Sequence, residues 1–527
     1  MAHNLHGIDI DPRAIQVAGL TLWLRAHRSW QRLKVRAALR PRIQEARLVW
    51  AEPLADGDLL AGFARTLRSE ILPGQTKPLA PAEAQVLGDL LRSVAHHTRL
   101  VGEAGWLIPL ERELASLIET ARQQWQDARA AVAKATQTDM FRGAPAQQLT
   151  MPLEALGKVR RKAFFAEAED LLLVALTLYA EQAAGPDAYQ RQLFAADAAR
   201  TLALVDLCRL RYDVVLMNPP FGAAADASKT YLDRNYPSAK MDIFAMFVDR
   251  ALRRLRPGGF VGIISSRTGL FISSFKIFRE QVLLRHHLPL VADLGGEVLD
   301  ATVETAAYVI QQAQPSPQPT TFLRLLNVPG EEKAEALFDG LQNEDSEYRF
   351  DIPTAEFEVI PGQSLAYWAT KPIRQKFTDS AFNLTGGAVK QGLETANNFR
   401  FLRLWWEKSP KYGWFPLTKG GSYYPFYSDI YLSINWIDQG RELKAWAAPL
   451  YGNSGWSRII KSVSYYFTPG LTYPRRTHTL CPQAMPAGGI ISARGSGIYP
   501  FPLKAAVVPN KIFSTWLYLL LSLLTIC

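Results

Sequence analysis

This sequence predicts an α/β domain followed by a more β-rich one, on three observations. Short apolar runs alternate with stretches of helical periodicity through much of the first 315 residues. Three of these runs finish on a carboxylate or an amide. After the Pro-rich stretch Gln314–Thr320 the composition shifts toward aromatic residues and turn formers. Strands separated by helices argue for a parallel sheet, which takes its ligands at the carboxyl ends of its strands.

Taken in order, Leu5–Ile10 is a short apolar strand closing on acids, and Pro12 stands where a first helical turn tolerates it, ahead of the helical spacing of Ala14–Arg25. Arg47–Ala51 is a second strand. Residues 59–189 are rich in Ala, Leu, Arg, Glu and Gln with helical periodicity, and read as a mainly helical insertion whose apolar stripes need no ligand. Alternation resumes with a strand at Gln192–Ala196, a helix at Ala198–Arg209 and a strand at Tyr212–Met217. A helix over Met241–Leu255 then leads to strands at Phe260–Ser265, Leu290–Leu294 and Ala306–Ile310. The carboxyl ends carry Asp9, Asp197 and Asn218. The division is therefore a catalytic domain from 1–58 and 190–315, the insertion 59–189, a linker region 316–358 and a second domain 359–527. In the last, strands are expected at 398–405, 423–432 and 465–473.

At 527 residues the chain can bury a large core and form two or three domains. Its 59 Lys and Arg against 49 Asp and Glu favour a polyanionic partner, nucleic acid or an anionic membrane surface. Three scattered cysteines exclude a disulfide framework or a cysteine zinc site and fit a reducing cytoplasm, and no metal is expected. The N-terminus lacks the regions of a signal peptide. The apolar tail Trp516–Ile526 is well short of the ~20 residues a membrane helix needs. That abrupt ending reads as a cut C-terminus.

Asn218-Pro219-Pro220-Phe221 carries the chemistry. The amino nitrogen of adenine is a poor nucleophile, its lone pair being delocalised into the ring. Two acceptors aimed at its hydrogens favour a more tetrahedral nitrogen and stabilise the positive charge that grows during methyl transfer. The Asn218 amide oxygen and the Pro219 carbonyl can form that pair, the prolines fix the backbone, and Phe221 can stack on a base flipped out of the duplex. An isolated Asn-Pro-Pro is equally a turn after a buried strand. Here it follows Tyr-Asp-Val-Val-Leu-Met and precedes aromatic-Gly. Asp9 suits the ribose hydroxyls of an adenosyl cofactor or caps the following helix with Asp11. Asp197 suits the cofactor's adenine or is itself a cap, and Asp56 competes for that place. Arg400, Arg403 and Lys408, interleaved with aromatics, suit phosphate contact and base stacking, or form the basic rim of a β-domain.

Asn218–Phe221 resembles the catalytic motif of amino-methyltransferases acting on adenine in DNA. Leu5–Ala14 with Leu22-Trp23-Leu24 resembles the acidic-strand motif of the large single-chain bacterial enzymes, including fused restriction–modification enzymes and the PglX-type adenine-specific methyltransferases of BREX phage resistance. Arg211–Gly222, Ser265–Gly269, Val303–Tyr308, Val389–Leu393, Arg400-Phe401 and Trp405–Glu407 carry the likeness to the PglX type. The resemblance implies a Rossmann-like S-adenosylmethionine-dependent domain and a C-terminal target-recognition domain. It implies transfer of methyl to adenine N6 in double-stranded DNA with the base flipped, beside other phage-defence proteins. It assigns the target adenine to Asn218, Pro219, Pro220 and Phe221, the cofactor ribose to Asp9 and the cofactor adenine to Asp197. The family's glycine-rich cofactor loop precedes the strand that ends at Asp9. Only eight residues precede Asp9 here, so the expectation is a chain lacking the N-terminal region and binding the cofactor poorly. Alternatives are an inactive remnant that binds DNA or a partner, and a protein glutamine methyltransferase.

Overall fold

The computed structural model describes residues 4–40, 46–54, 57–72, 79–140, 161–182, 188–299, 303–378, 387–408, 412–475, 477 and 481–500. Asp56 and the tail 516–526 lie outside them. The chain divides into two compact units, Met1–Trp368 and Ala369–Cys527.

The first unit opens with strand β1 (His6–Asp9), helix α1 (Pro12–Arg32) and strand β2 (Arg47–Trp50). The Asp11 carboxylate accepts the Arg13 N–H and caps α1, with Pro12 at its first turn, where a missing N–H costs nothing. β1 and β2 pair in parallel as a two-stranded sheet. A separate six-stranded sheet runs in the order β3-β4-β6-β5-β7-β8, built from Tyr212–Met217, Leu255–Ser266, His287–Gly295 (β5), Thr305–Gln311 (β6), Thr320–Arg324 and Arg349–Ile352. β3 pairs with β4 in parallel, β6 lies antiparallel to β4 and β5, β7 is parallel to β5, and β8 is antiparallel to β7. The expected parallel sheet is therefore mixed. Among the described residues the edge strands of these two sheets are β1 and β2 in the small one and β3 and β8 in the large one. Val214 and Leu216 of β3 are 54% and 79% exposed, although apolar residues in such a strand ordinarily face a core.

The region read as an insertion folds as α2 (Asp58–Ser69), α3 (Pro81–His97), α4 (Ala115–Met140) and α5 (Arg161–Glu181), with short helical turns between 101 and 113. Its buried leucines, alanines and Phe63 share one apolar core with the main sheet. Two expectations fail here. Gln192–Ala196 is not a strand: it lies inside a single helix α6 (Ala188–Arg209), which buries Phe194, Ala195, Ala198, Thr201, Leu202 and Val205 at helical spacing. Residues 316–358 are not a linker: they supply β7, helix α9 (Lys333–Gln342) and β8 to the sheet, and the division between units falls at 368/369. Between β3 and β4 lie α7 (Asp226–Asn235) and α8 (Ile243–Arg254).

The second unit holds two four-stranded sheets. One runs β10-β12-β11-β15 (Leu402–Leu404, Leu432–Asn435, Trp414–Thr418 and Ile490–Ile491). The other runs β14-β13-β16-β9 (Gln483–Met485, Gly470–Pro474, Gly495–Pro500 and Gly387–Lys390). Phe401, Ile434, Leu443, Ile490, Ile491 and Tyr499 form its core. The expected strand 398–405 shrinks to β10, because Asn397 caps a helical turn over Asn398–Phe401. That at 423–432 is a loop: Pro425 and a positive φ of 72° at Phe426 interrupt any ladder before Leu432.

Candidate active site

At the carboxyl end of β3 the chain leaves the sheet through Asn218-Pro219-Pro220-Phe221-Gly222. Asn218 is exposed, Pro219 is buried, and Phe221 is half-buried against the main core. Gly222 adopts φ +112°, a conformation side chains rarely allow. Its N–H donates to Asp242 Oδ1 at 2.9 Å, and its carbonyl accepts the Ile243 N–H at 2.8 Å. The same carboxylate caps α8 through the Phe244 N–H at 3.2 Å. Burial raises the Asp242 carboxyl above its ordinary pKa, opposed by the backbone N–H groups of Gly222, Phe244 and Ile243. Asp242 thus fixes the far end of the loop to the start of a buried helix. Reading the sequence missed it, although an Asp directly before Ile-Phe-Ala-Met-Phe is a helix-start signal.

The helical layer grips this region from behind. Arg250 of α8 is 1% exposed; its Nη1 and Nη2 donate to the Glu111 carboxylate at 2.5 and 2.7 Å, and its Nε donates to the Trp106 carbonyl at 2.9 Å. Tyr236 donates its hydroxyl to the Leu107 carbonyl at 2.7 Å, and Tyr231 to Glu113 at 2.9 Å. Residues 106–113 therefore position the segment that follows the Asn218 loop, a role not visible in their composition.

Asp9 ends β1 and is exposed; its Oδ1 accepts the Asp11 N–H at 2.9 Å. The helix cap belongs to Asp11, so Asp9 is not the cap. The His6 and Tyr212 rings, at the starts of β1 and β3, meet edge to face with centroids 5.8 Å apart.

Asp197 does not stand at a strand end. It lies mid-helix in α6, where Arg200 donates to it at 2.9 Å. Burial raises its pKa and Arg200 opposes the shift. Arg200 also reaches Glu52 at 3.7 Å and lies over the Trp50 ring at 5.4 Å, which places Asp197 beside the exit of β2. The acid on that exit is Glu52, which sequence reading passed over; burial, then Asp197, raises its pKa.

The segments 265–269 and 303–308 meet around Arg267. Its Nε and Nη2 donate to the fully buried Asp293 at 2.6 and 2.8 Å, its Nη1 donates to Glu304 at 2.9 Å, and Tyr367 adds a hydroxyl to Asp293 at 2.8 Å. A cleft of about 400 Å³ opens beside Arg267, Phe271 and Glu304.

In the second unit Arg400 donates to Glu442 at 2.9 and 3.0 Å and lies over Trp446 at 5.1 Å. Arg403 donates to the Phe399 and Leu402 carbonyls. Arg403 and Lys408 each stand 5.9 Å from the Trp414 ring. Both arginines have intramolecular partners, and the Arg400 side chain stays 45% exposed.

The Eco57I restriction-modification methylase family is matched over residues 3–298. The chain belongs to that family. Among relatives of this Eco57I-type chain, the adenine-specific methyltransferase PglX of Lacticaseibacillus casei (strain Zhang) is 29% identical over 261 residues, 45% of this chain and 21% of the relative. The adenine-specific methyltransferase BrxX of Escherichia coli O9:H4 (strain HS) is 28% identical over 308 residues, 55% and 24%. The chain spans about a fifth to a quarter of the length of these curated relatives. The type IIL enzyme MmeI in complex with DNA is 11% identical, covering 54% of this chain and 40% of that chain at a TM-score of 0.35. No helix among the described residues is long and apolar enough to cross a membrane.

Proposed function

We propose that this chain is the catalytic and DNA-reading part of a site-specific methyltransferase that transfers methyl from S-adenosylmethionine to adenine N6, marking host DNA in a phage-defence or restriction–modification system. The carrying observation is the loop itself: an exposed amide followed by two prolines and a half-buried ring, at a strand's carboxyl end, its far end clamped to α8 by Asp242. The relatives' adenine-specific names support the choice of base.

In this reading Asn218 Oδ1 and the Pro219 carbonyl accept the two amino hydrogens of a flipped adenine, while the free face of Phe221 stacks on the ring. Asn218 and Pro219 then stabilise the charge that develops on nitrogen. Because Gly222 cannot shift without breaking the clamp and the two prolines restrict the backbone before it, these acceptors are oriented before the base arrives, so little reorganisation is left for the transition state. The exposed Asp9 carboxylate, with one oxygen held by the Asp11 N–H, fits the ribose hydroxyls of the cofactor. Asp197 and Glu52 are the acids for its adenine. When bound, S-adenosylmethionine supplies the electrophilic methyl. Arg400, Arg403 and Lys408 contribute to DNA binding, and other defence proteins are partners.

Transfer of labelled methyl into DNA tests this. Asn218→Ala should lose about 10²–10³-fold in rate, the cost of one well-placed acceptor, with DNA affinity nearly unchanged. Full activity in that variant overturns the mechanism. A second reading, a DNA- or partner-binding module without turnover, is favoured by one observation: Asp9 and Asn218 lie on two separate sheets. Calorimetric titration that shows no heat at millimolar cofactor, with DNA binding retained, selects it.

A further inference from the structure

The positive excess of the chain is confined to its second unit. Residues 369–527 hold 18 Lys and Arg against 6 Asp and Glu, whereas residues 1–368 hold 41 against 43. The same unit displays large aromatic rings to solvent. Trp405 and Trp406 are 60% and 61% exposed, Phe426 is 62% exposed, and Tyr424, Tyr427 and Tyr431 are each more than half exposed. Single exposed rings are ordinary; a concentration of this kind marks an interaction surface.

Ordered backbone holds these rings outward. β10 pairs with β12, and the ladder continues as the Trp405 N–H donates to the Tyr431 carbonyl at 2.9 Å, so the two residues flank one strand end. The loop before Tyr431 is fastened to β14: the Ala484 N–H donates to the Phe426 carbonyl at 2.7 Å, and the Gln483 amide to the Tyr424 carbonyl at 3.2 Å. Gly420, at φ +69°, starts the loop where a Cβ would meet the Arg494 carbonyl. Trp405 and Trp406 meet edge to face, with centroids 5.7 Å apart. A loop so tied cannot fold its rings into the core, and their apolar faces stay in water until something covers them.

We propose that Trp405, Trp406 and the ring-bearing loop 423–431 stack on unpaired bases of DNA. The assignment rests on the reading that the chain acts on DNA. The charge of the unit selects a polyanion, and uncharged π-faces carried by a cationic unit fit bases rather than phosphates. Taking a base out of the duplex leaves its neighbours and its former partner unstacked, and these are the faces such rings can cover. The surface would therefore prefer locally opened DNA to intact duplex.

The test uses the full chain with labelled 20-nucleotide oligothymidylate, a 20-base-pair duplex and the same duplex with a three-base mismatch bubble. Wild-type chain should bind oligothymidylate and the bubble more tightly than intact duplex. Each of Trp405→Ala, Trp406→Ala and Phe426→Ala should weaken oligothymidylate binding about 5- to 150-fold, the range for one stacked base, without changing the slope of log affinity against log salt. Trp405→Phe and Phe426→Tyr should restore most of the binding, which separates stacking from misfolding. Ring variants within twofold of wild-type, or a preference for intact duplex, overturn the proposal, as does equal affinity for polyglutamate, which would mark an acidic protein as the partner. If oligothymidylate binding needs the rings but no methyl transfer occurs, the inference stands and the enzymatic reading falls. Methyl transfer with ring variants that bind normally gives the reverse.

Discussion

Removing the Arg250 guanidinium by Arg250→Met isolates one pair that joins the helical layer to the helix behind the Asn218 loop. The native arginine makes two bonds to Glu111 and one to the Trp106 carbonyl, and it is almost fully enclosed. Taking away one partner of such a pair leaves a carboxylate with much less compensation, at a typical cost of about 3–5 kcal/mol. Arg254, 3.5 Å from Glu111, recovers part of this and sets the expectation toward the lower end, about 3 kcal/mol. Burial pushes the Glu111 carboxyl up, but the bonds and charge of Arg250, with Arg254, outweigh it and leave the pKa lowered. A depressed carboxyl contributes stability above its unfolded pKa and loses it as pH falls through the folded one. Arg250→Met should invert this, leaving burial dominant and making the variant least stable at neutral pH relative to wild-type. Urea unfolding at pH 5 and pH 7.5 reads both effects. The double variant Arg250→Met/Glu111→Gln, which removes the stranded carboxylate and leaves Arg254 bonded to the Leu210 carbonyl, should recover part of the loss. A single-variant cost under about 1 kcal/mol, or losses that simply add in the double variant, would refute the account of the pair.

Asp242→Ala removes both a helix cap and the hold on Gly222. It should cost about 1–2 kcal/mol of stability and lower methyl transfer through a slower turnover rather than weaker DNA binding; loss of DNA affinity without loss of rate would contradict a positioning role. Glu169 lies near Asp206 and Asp170, and burial, then these two acids, pushes its carboxyl up to about 7. A carboxyl raised in the folded state binds more protons there than in the unfolded chain. Stability should therefore fall as pH rises from about 4.5 to about 7, and Glu169→Gln should flatten that part of the melting-temperature profile. Identical profiles for variant and wild-type would remove Glu169 from the account.

Local signals made part of this molecule readable. The strand Tyr212–Met217 has the bounds its apolar run and following turn imply, and Pro12 after Asp11 located α1. Gln192–Ala196 reads equally as a strand because a short continuous apolar run fits a buried strand as well as a helix turn; the buried positions through Val205 supply the period that decides. The Pro-rich stretch at 314–320 looked like a domain break and is only the connection between β6 and β7. Arg250 and Glu111 are 139 residues apart, and no spacing rule connects such a pair. Asp197 shows the converse: its place near β2 comes from helix packing and the Arg200 bridge, not from any strand it ends.

The open edge of β3 also bears on how this polypeptide behaves at high concentration. A strand edge with unpaired N–H and C=O groups, carrying Val214 and Leu216 in solvent, is a template for another strand, and the exposed Asp213–Arg256 pair is a meagre guard against it. β1 offers a second such edge within the same unit. Preparations of the chain should therefore be prone to edge-to-edge oligomers, and a lysine in place of Leu216 is the change that would keep them monodisperse without touching Asn218.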